Sequence, residues 1–400
     1  MRKFLILGMN SIARHIVMSM LLILQIVCIF IGSNMLLASY NQQYLLIKPF
    51  EKWLDSEGYY IASLGGIRNE AGMSEEELEM LKKLQGEWET ITFYREFNFN
   101  IQEGNDIYPV KVLVYDNNFW NNYTPILKSG KFEKSDYSSN KPWCIATPNI
   151  YSLKPMLPNA IEALEIKGVM GDLCYIPICD QLDKNGSFAD NFYKKYSKER
   201  DNEIYLLMPT SQWERLEIDN SEAILPFSKI IIPKRQLTNE EKSHNEEVFR
   251  DYASPQLPMS TLKERAKNDI NDRLRRFLPL LIAQLTITLF GIICASAIQT
   301  LSDEKTFSIY GLCGMNRKKR MLINLSEYGI LLLFSGAVTY IAYFVTKTKG
   351  MHAKYGLLFQ INNLALSAAI IGILLAVSLT APHIITRNKR LADQLRRETE

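Results

Sequence analysis

Four long apolar stretches, near residues 16–38, 273–301, 321–346 and 357–381, constrain this chain more than any other feature. The first, Ile16 to Ala38, carries no charge. It is long enough to cross a hydrocarbon core of about 30 Å, which takes roughly 20 helical residues. Its apolar length exceeds that of a cleaved signal peptide and no small-residue cleavage site follows, so a retained helix is expected. Residues 1–15 are basic and amphipathic, and Arg2, Lys3 and Arg14 place the N-terminus in the cytoplasm by the positive-inside tendency. Four spans then return the C-terminus to the same side. The expected fold class is a membrane protein of four transmembrane α-helices in the cell membrane, with a large mixed α/β extracytoplasmic domain inserted between helices 1 and 2.

Charge is distributed accordingly. Residues 39–272 hold 27 Lys+Arg against 37 Asp+Glu, while the rest of the chain is basic. The positive charge therefore flanks the apolar spans instead of coating the polar block, which suits a lipid bilayer and excludes nucleic acid as a partner. The outer loop 347–356, with Lys347, Lys349 and Lys354, runs against the positive-inside tendency. The N-terminus, the 302–320 loop and the tail 382–400 together outweigh it.

Within 39–272, alternation predicts strands over 89–99, 107–115, 144–146, 166–170, 204–208 and 229–232. Ser74 and Glu77 form a capping-box pattern that opens a helix to about Leu84. The polar, Lys- and Tyr-rich stretch 189–202 suggests a surface loop or a subdomain junction. From Ser260 to Leu301 one helix could run about 60 Å, its outer half a charged stalk above the span. The alternative is two helices broken at Pro279.

Catalytic signatures are missing. There is no G-x-x-x-x-G-K-[ST], no G-x-S-x-G and no H-E-x-x-H, so no bound cofactor and no enzyme chemistry are expected of this chain. The acids Glu75, Glu76 and Glu77 are expected to solvate a helix face. Cys28, Cys294 and Cys313 lie in or beside apolar spans; Cys144, Cys174 and Cys179 lie in the polar block, where Cys174 and Cys179 could pair. His15, His244, His352 and His383 are scattered, and no metal site is expected.

The connection between the second and third spans, SDEKTFSIYGLCGMNRKKR at 302–320, carries the strongest functional pattern. Phe307, Ile309, Tyr310, Leu312 and Met315 can form an apolar ridge on a short helix, with Gly311 and Gly314 permitting close approach. Asp303 and Glu304 precede the ridge, and Arg317 to Arg320 follow it, matching the helix dipole and then an anionic inner leaflet. It could plug a partner's groove, or merely reverse the chain at the interface. Glu327 falls about 9 Å into the third span. An acid at that depth needs a polar partner, with Asn324, Gln299 or a basic residue at the loop's end as candidates. Gly336 lies on the same helix, and Ala368, Gly372 and Ala376 form a small-residue seam on the fourth span that suits helix packing.

This segment resembles the cytoplasmic coupling loop of MacB/FtsX-type ABC transporter permeases. Ile309, Tyr310, Leu312, Gly314 and Met315 match that loop's apolar and glycine positions, Arg317 to Arg320 supply its basic run, and Glu327 and Gly336 stand at the expected spacing. Thr306, Ser308 and Gly311 depart from the pattern. In the polar block Gly130, Phe132 and Asp136, with Lys131 for an arginine, resemble a step of the MacB extracytoplasmic domain. The resemblance implies a permease subunit whose coupling loop, including Glu304 and Phe307, is gripped by a separate ABC ATPase carrying ATP and magnesium. It also implies a second permease copy, identical or related, a possible extracytoplasmic adaptor, and Glu327 as a link between loop and helix movement. Export of a peptide, antibiotic or lipid-linked substrate is the first output implied, and activation of a cell-wall hydrolase the second. A membrane sensor or scaffold without an ATPase is the reading from outside the family.

Overall fold

The computed structural model describes residues 2–62, 88–103, 106–133, 136, 141–150, 164–178, 183, 185–216, 227–243, 256–348 and 357–387. The chain divides into two compact units, one made of Met1–Asn41 and Asp272–Glu400, the other of Gln42–Asn271. The predicted helix at 74–84 lies outside the described residues, as does Cys179.

The first unit is helical. In chain order its helices are α1 (Arg2–Arg14), α2 (Ile16–Ile47), α3 (Met259–Ser302), α4 (Glu304–Leu312), α5 (Arg317–Thr348) and α6 (Ile361–Arg387). The ends of α2 and α3, Gln42–Ile47 and Met259–Asn271, belong to the second unit. Four of these helices, α2, α3, α5 and α6, are long and apolar enough to cross a membrane. Each is apolar around most of its circumference, yet only a narrow stripe is buried. On α2 that stripe is Leu22, Ile26, Ile29 and Phe30, at helical spacing, while Val17, Met20 and Leu24 are more than half exposed. Facing it are Ile292 and Ala295 of α3, Tyr328, Leu331 and Leu332 of α5, and Ile370 and Leu374 of α6. Helix α3 is continuous through Pro279, so one 44-residue helix replaces the two-helix alternative.

Polar side chains fix the register between these helices. Gln25 of α2 sits over Gly291 of α3, and Gln284 of α3 sits over Gly32 of α2, a reciprocal pair consistent with antiparallel helices. Nearer the far end of α2, Asn41 Nδ2 donates to Asn363 Oδ1 at 3.1 Å and to Asn362 Oδ1 at 3.1 Å. Asn363 Nδ2 donates to Asn34 Oδ1 at 3.2 Å, and Asn34 Nδ2 to Ser367 Oγ at 2.8 Å. Asn34, Asn41 and Asn363 are buried, where unpaired amides would be costly. The small-residue seam Ala368, Gly372 and Ala376 does not supply the packing of α6 within this chain. All three lie on the exposed side of α6, and a Cβ on Gly372 or on Gly336 would meet nothing within 4 Å. The packing stripe is instead Ile370, Leu374 and Ser378.

The second unit is built on a nine-stranded mixed sheet. Its strands are β1 (Tyr59–Ala62), β2 (Trp88–Glu103), β3 (Asp106–Tyr115), β4 (Leu127–Gly130), β5 (Trp143–Ala146), β6 (Glu165–Met170), β9 (Ile204–Pro209), β10 (Phe227–Pro233) and β11 (Gln256–Pro258). The order is β11-β1-β10-β2-β3-β9-β5-β6-β4, with β3/β9 and β5/β6 parallel and the other pairs antiparallel. Each strand read from alternation lies within an observed one. The period of two sorts residues onto two faces. Val110, Val112 and Val114 of β3, with Leu206 and Met208 of β9, face one core with Trp213. Leu113 and Tyr115, with Tyr205 and Leu207, face the other, which is mostly aromatic and centres on Phe50, Phe93, Phe119 and Trp120.

The stretch 189–202 is not a surface loop. It holds most of the helix Phe188–Phe192, capped by Ser187, and strand β8 (Lys194–Ser197), paired antiparallel with β7 (Leu173–Ile176). Phe192, Tyr193 and Tyr196 point into the aromatic core, and the lysines between them gave the segment its polar look. Cys174 of β7 is a buried free thiol that burial pushes up to about 12, so it is not a reactive thiolate.

Candidate functional site

Helix α4 is short because its C-terminal end is specified. Gly314 adopts φ +87°, a left-handed conformation open to glycine and unfavourable for side chains with a Cβ. Around it Met315 N donates to Tyr310 O at 2.9 Å and Gly314 N to Gly311 O at 3.0 Å, the paired bonds of a Schellman motif. The next residue, Asn316, accepts from Lys319 N at 3.0 Å and caps α5. Three residues, Gly314, Met315 and Asn316, thus close one helix and open the next with little slack.

The ridge predicted from the sequence is divided. Ile309 and Leu312 are 50% and 68% exposed. Tyr310, Met315 and Glu304 are half-buried, and Gly314 is exposed. Phe307 does not project with them. It lines a polar cavity, and the Arg320 guanidinium carbon lies 4.3 Å from its ring centroid. Arg320 also reaches Thr300 O at 3.4 Å.

The cavity behind α4 is lined by Ser296, Gln299, Thr300, Asp303, Phe307, Asn324, Glu327, Tyr328 and Pro382. Glu327 is 3% exposed, with Ser11 and Gln299 as its polar neighbours. Gln299 Oε1 accepts from the Tyr328 hydroxyl at 2.7 Å, while Gln299 Nε2 and Glu327 Oε1 are buried without a full hydrogen bond among the described residues. Asn324 and Gln299, two of the three expected kinds of partner for Glu327, therefore share its cavity. The third, a basic residue at the loop's end, is represented by Arg320, which is engaged with Phe307.

Helix α1 completes the site, and nothing local in the sequence marks it for that role. A Cβ at Gly8 would come within 3.0 Å of Glu327 N, so α1 lies directly against α5 at Ser326 and Glu327. Asp303, at the N-cap of α4, makes no side-chain cap bond. Its carboxylate instead accepts from Arg14 Nη1 at 2.9 Å and has His15 Nε2 at 3.7 Å. Among the described residues no group of His, Cys, Asp and Glu could hold a metal ion.

No family model matches this chain, and no curated protein matches it. Among solved structures the chain is similar to the periplasmic region of MacB from Actinobacillus actinomycetemcomitans. The identity is 12% and the TM-score 0.21, over 53% of this chain and 93% of that one. That likeness is too slight to decide the fold, which rests on the sheet and helices described above.

Proposed function

We propose that this chain is the permease subunit of an ABC transporter, with a separate ATPase subunit gripping α4 and the unit Gln42–Asn271 lying outside the membrane. In this reading both termini are cytoplasmic, the chain binds no cofactor and catalyses no reaction itself, and ATP and magnesium are held by the partner. Two copies supply two α4 helices to a pair of ATPase subunits. Binding of ATP brings the ATPases together and displaces α4, and α3 and α5, joined to it by tight connections, carry that displacement into the membrane. The output is movement of the outer unit, used to export a peptide, antibiotic or lipid-linked substrate.

One observation carries the reading. A nine-residue helix, specified at its C-terminal end by a glycine turn, sits between two apolar helices of spanning length and presents Ile309 and Leu312 unpaired. A loop that only reversed the chain would need neither the cap nor an exposed apolar pair. Glu327 supports it, because a buried acid behind α4 is placed to respond when α4 moves.

The test is capture. A photo-crosslinker at Leu312, in the full chain expressed in its own host, should trap a polypeptide that carries a P-loop and hydrolyses ATP. Leu312→Asp should abolish the association. If the crosslinker yields only lipid or products lacking a nucleotide-binding subunit, the reading fails.

A further inference from the structure

Helix α4 is joined through the chain to α3 and α5, yet the two helices whose far ends belong to the second unit are α2 and α3. The covalent path from α4 therefore reaches one of them and not the other. The Gln25–Gly291 contact between α2 and α3 stands 12 residues before Asp303, about 18 Å along the helix. Movement passed to α2 by that route would first have to travel up α3.

A shorter route exists. Asp303 contacts Arg14 and His15, the two residues at which α1 gives way to α2. The junction is stiff, because His15 N bonds Ser11 O at 3.1 Å and Ser19 N bonds His15 O at 3.0 Å, carrying the helical pattern across it. The Asp303 side chain is only 9% exposed and that of Arg14 is 53% exposed, so separating them would leave a largely desolvated carboxylate with His15 beside it. On the other side of the junction Gly8 seats α1 against α5.

Resting on the reading of α4 as the element an ATPase grips, we propose that Asp303, Arg14 and His15 form a non-covalent strut that passes movement of α4 directly to α2. Both helices leading to the second unit are then driven together. Arg14 and Asp303 are positioning residues in this scheme, since they act through α2 and touch neither nucleotide nor substrate.

The experiment uses the full chain, its six native cysteines replaced, in membranes with the ATPase captured through Leu312. Reporter cysteines are placed at Tyr44 on α2 and Phe277 on α3, and their thiol-labelling rates are compared with ATP and with ADP. In the parent chain both rates should change with nucleotide. Arg14→Gln and Asp303→Asn should cut the α2 response at least fivefold while preserving ATPase capture and the α3 response. Arg14→Lys, and the reversal Arg14→Asp with Asp303→Arg, should restore it. An α2 response that survives both single substitutions overturns the strut, as does a reversal that fails to restore it in a chain still holding the ATPase. A parent chain that captures no ATPase refutes the parent reading and the strut with it, so the two failures are distinct.

Discussion

Replacing Lys111 by methionine should destabilise the second unit by about 3–5 kcal/mol, the range for removing one partner of a buried ion pair. Lys111 Nζ lies 3.3 Å from Glu96 Oε1 and 3.1 Å from Glu203 Oε1, and the Glu96 side chain is 5% exposed. Burial lowers the ammonium's pKa, but Glu96 and Glu203 outweigh it and hold Lys111 above its usual value. Methionine fills most of the volume and takes the Lys111 ammonium away from the buried Glu96 and from Glu203. All five tryptophans, Trp53, Trp88, Trp120, Trp143 and Trp213, fall within Gln42–Asn271, so tryptophan emission of the whole protein in detergent reports on this unit alone. For about 230 residues each kcal/mol moves Tm by roughly 2–4 °C, giving an expected loss of about 6–20 °C at pH 7. At pH 4 the loss should shrink, because a buried carboxylate that has lost this ammonium takes up a proton more readily. A drop below about 2 °C, or one of equal size at both pH values, would refute the assignment of that charge network to stability.

Four further outcomes follow from the geometry. Burial raises the Glu203 carboxyl, but hydrogen bonds from Lys194, Tyr205 and Lys111 outweigh this and bring it down to about 2. Its stabilisation, about 1 kcal/mol for a partly exposed group, should be complete above the ordinary carboxylate value and vanish as pH falls toward 2, as acid titration of the tryptophan signal would show. Gly314→Ala should strain the turn after α4 by about 1–2 kcal/mol, raising amide exchange of Met315 roughly tenfold, with Gly314→Asn milder; equal exchange would count against the turn. Asn363→Leu should cost about 0.6–2 kcal/mol in detergent-denaturation experiments followed by far-UV circular dichroism, and no loss would mean that the amides are paired as well without it. Glu327→Ala should leave membrane insertion intact while uncoupling ATP hydrolysis from transport, and unchanged transport would remove Glu327 from the mechanism.

What the sequence disclosed depended on how local the cause was. Strands β2, β3 and β9 were legible because each face of the sheet takes alternate residues, so Val110, Val112 and Val114 announce themselves without reference to the rest of the chain. The 189–202 stretch misled because its lysines mask Phe192, Tyr193 and Tyr196, whose burial depends on an aromatic core assembled from distant segments. Gly314 was read only as a site of close approach; its role as the end of α4 rests on a left-handed backbone that the sequence pattern alone does not distinguish. The inward turn of Phe307 was not legible either, because it depends on Arg320 one turn into another helix. The pairing of Asp303 with Arg14 spans 289 positions, and no pattern within either segment points to the other. Exposure of Ala368, Gly372 and Ala376 was equally hidden: small residues permit close packing without saying which side of a helix is used.

The asparagines linking α2 to α6 bear on which parts of the bundle can part company. Sliding α6 along α2 by one helical turn would break the bonds of Asn34, Asn41 and Asn363 at once, in a place with little water to replace them. Helices α2 and α6 are in effect splinted into one piece. Under the proposed mechanism, a movement driven into α2 is then carried by α6 as well.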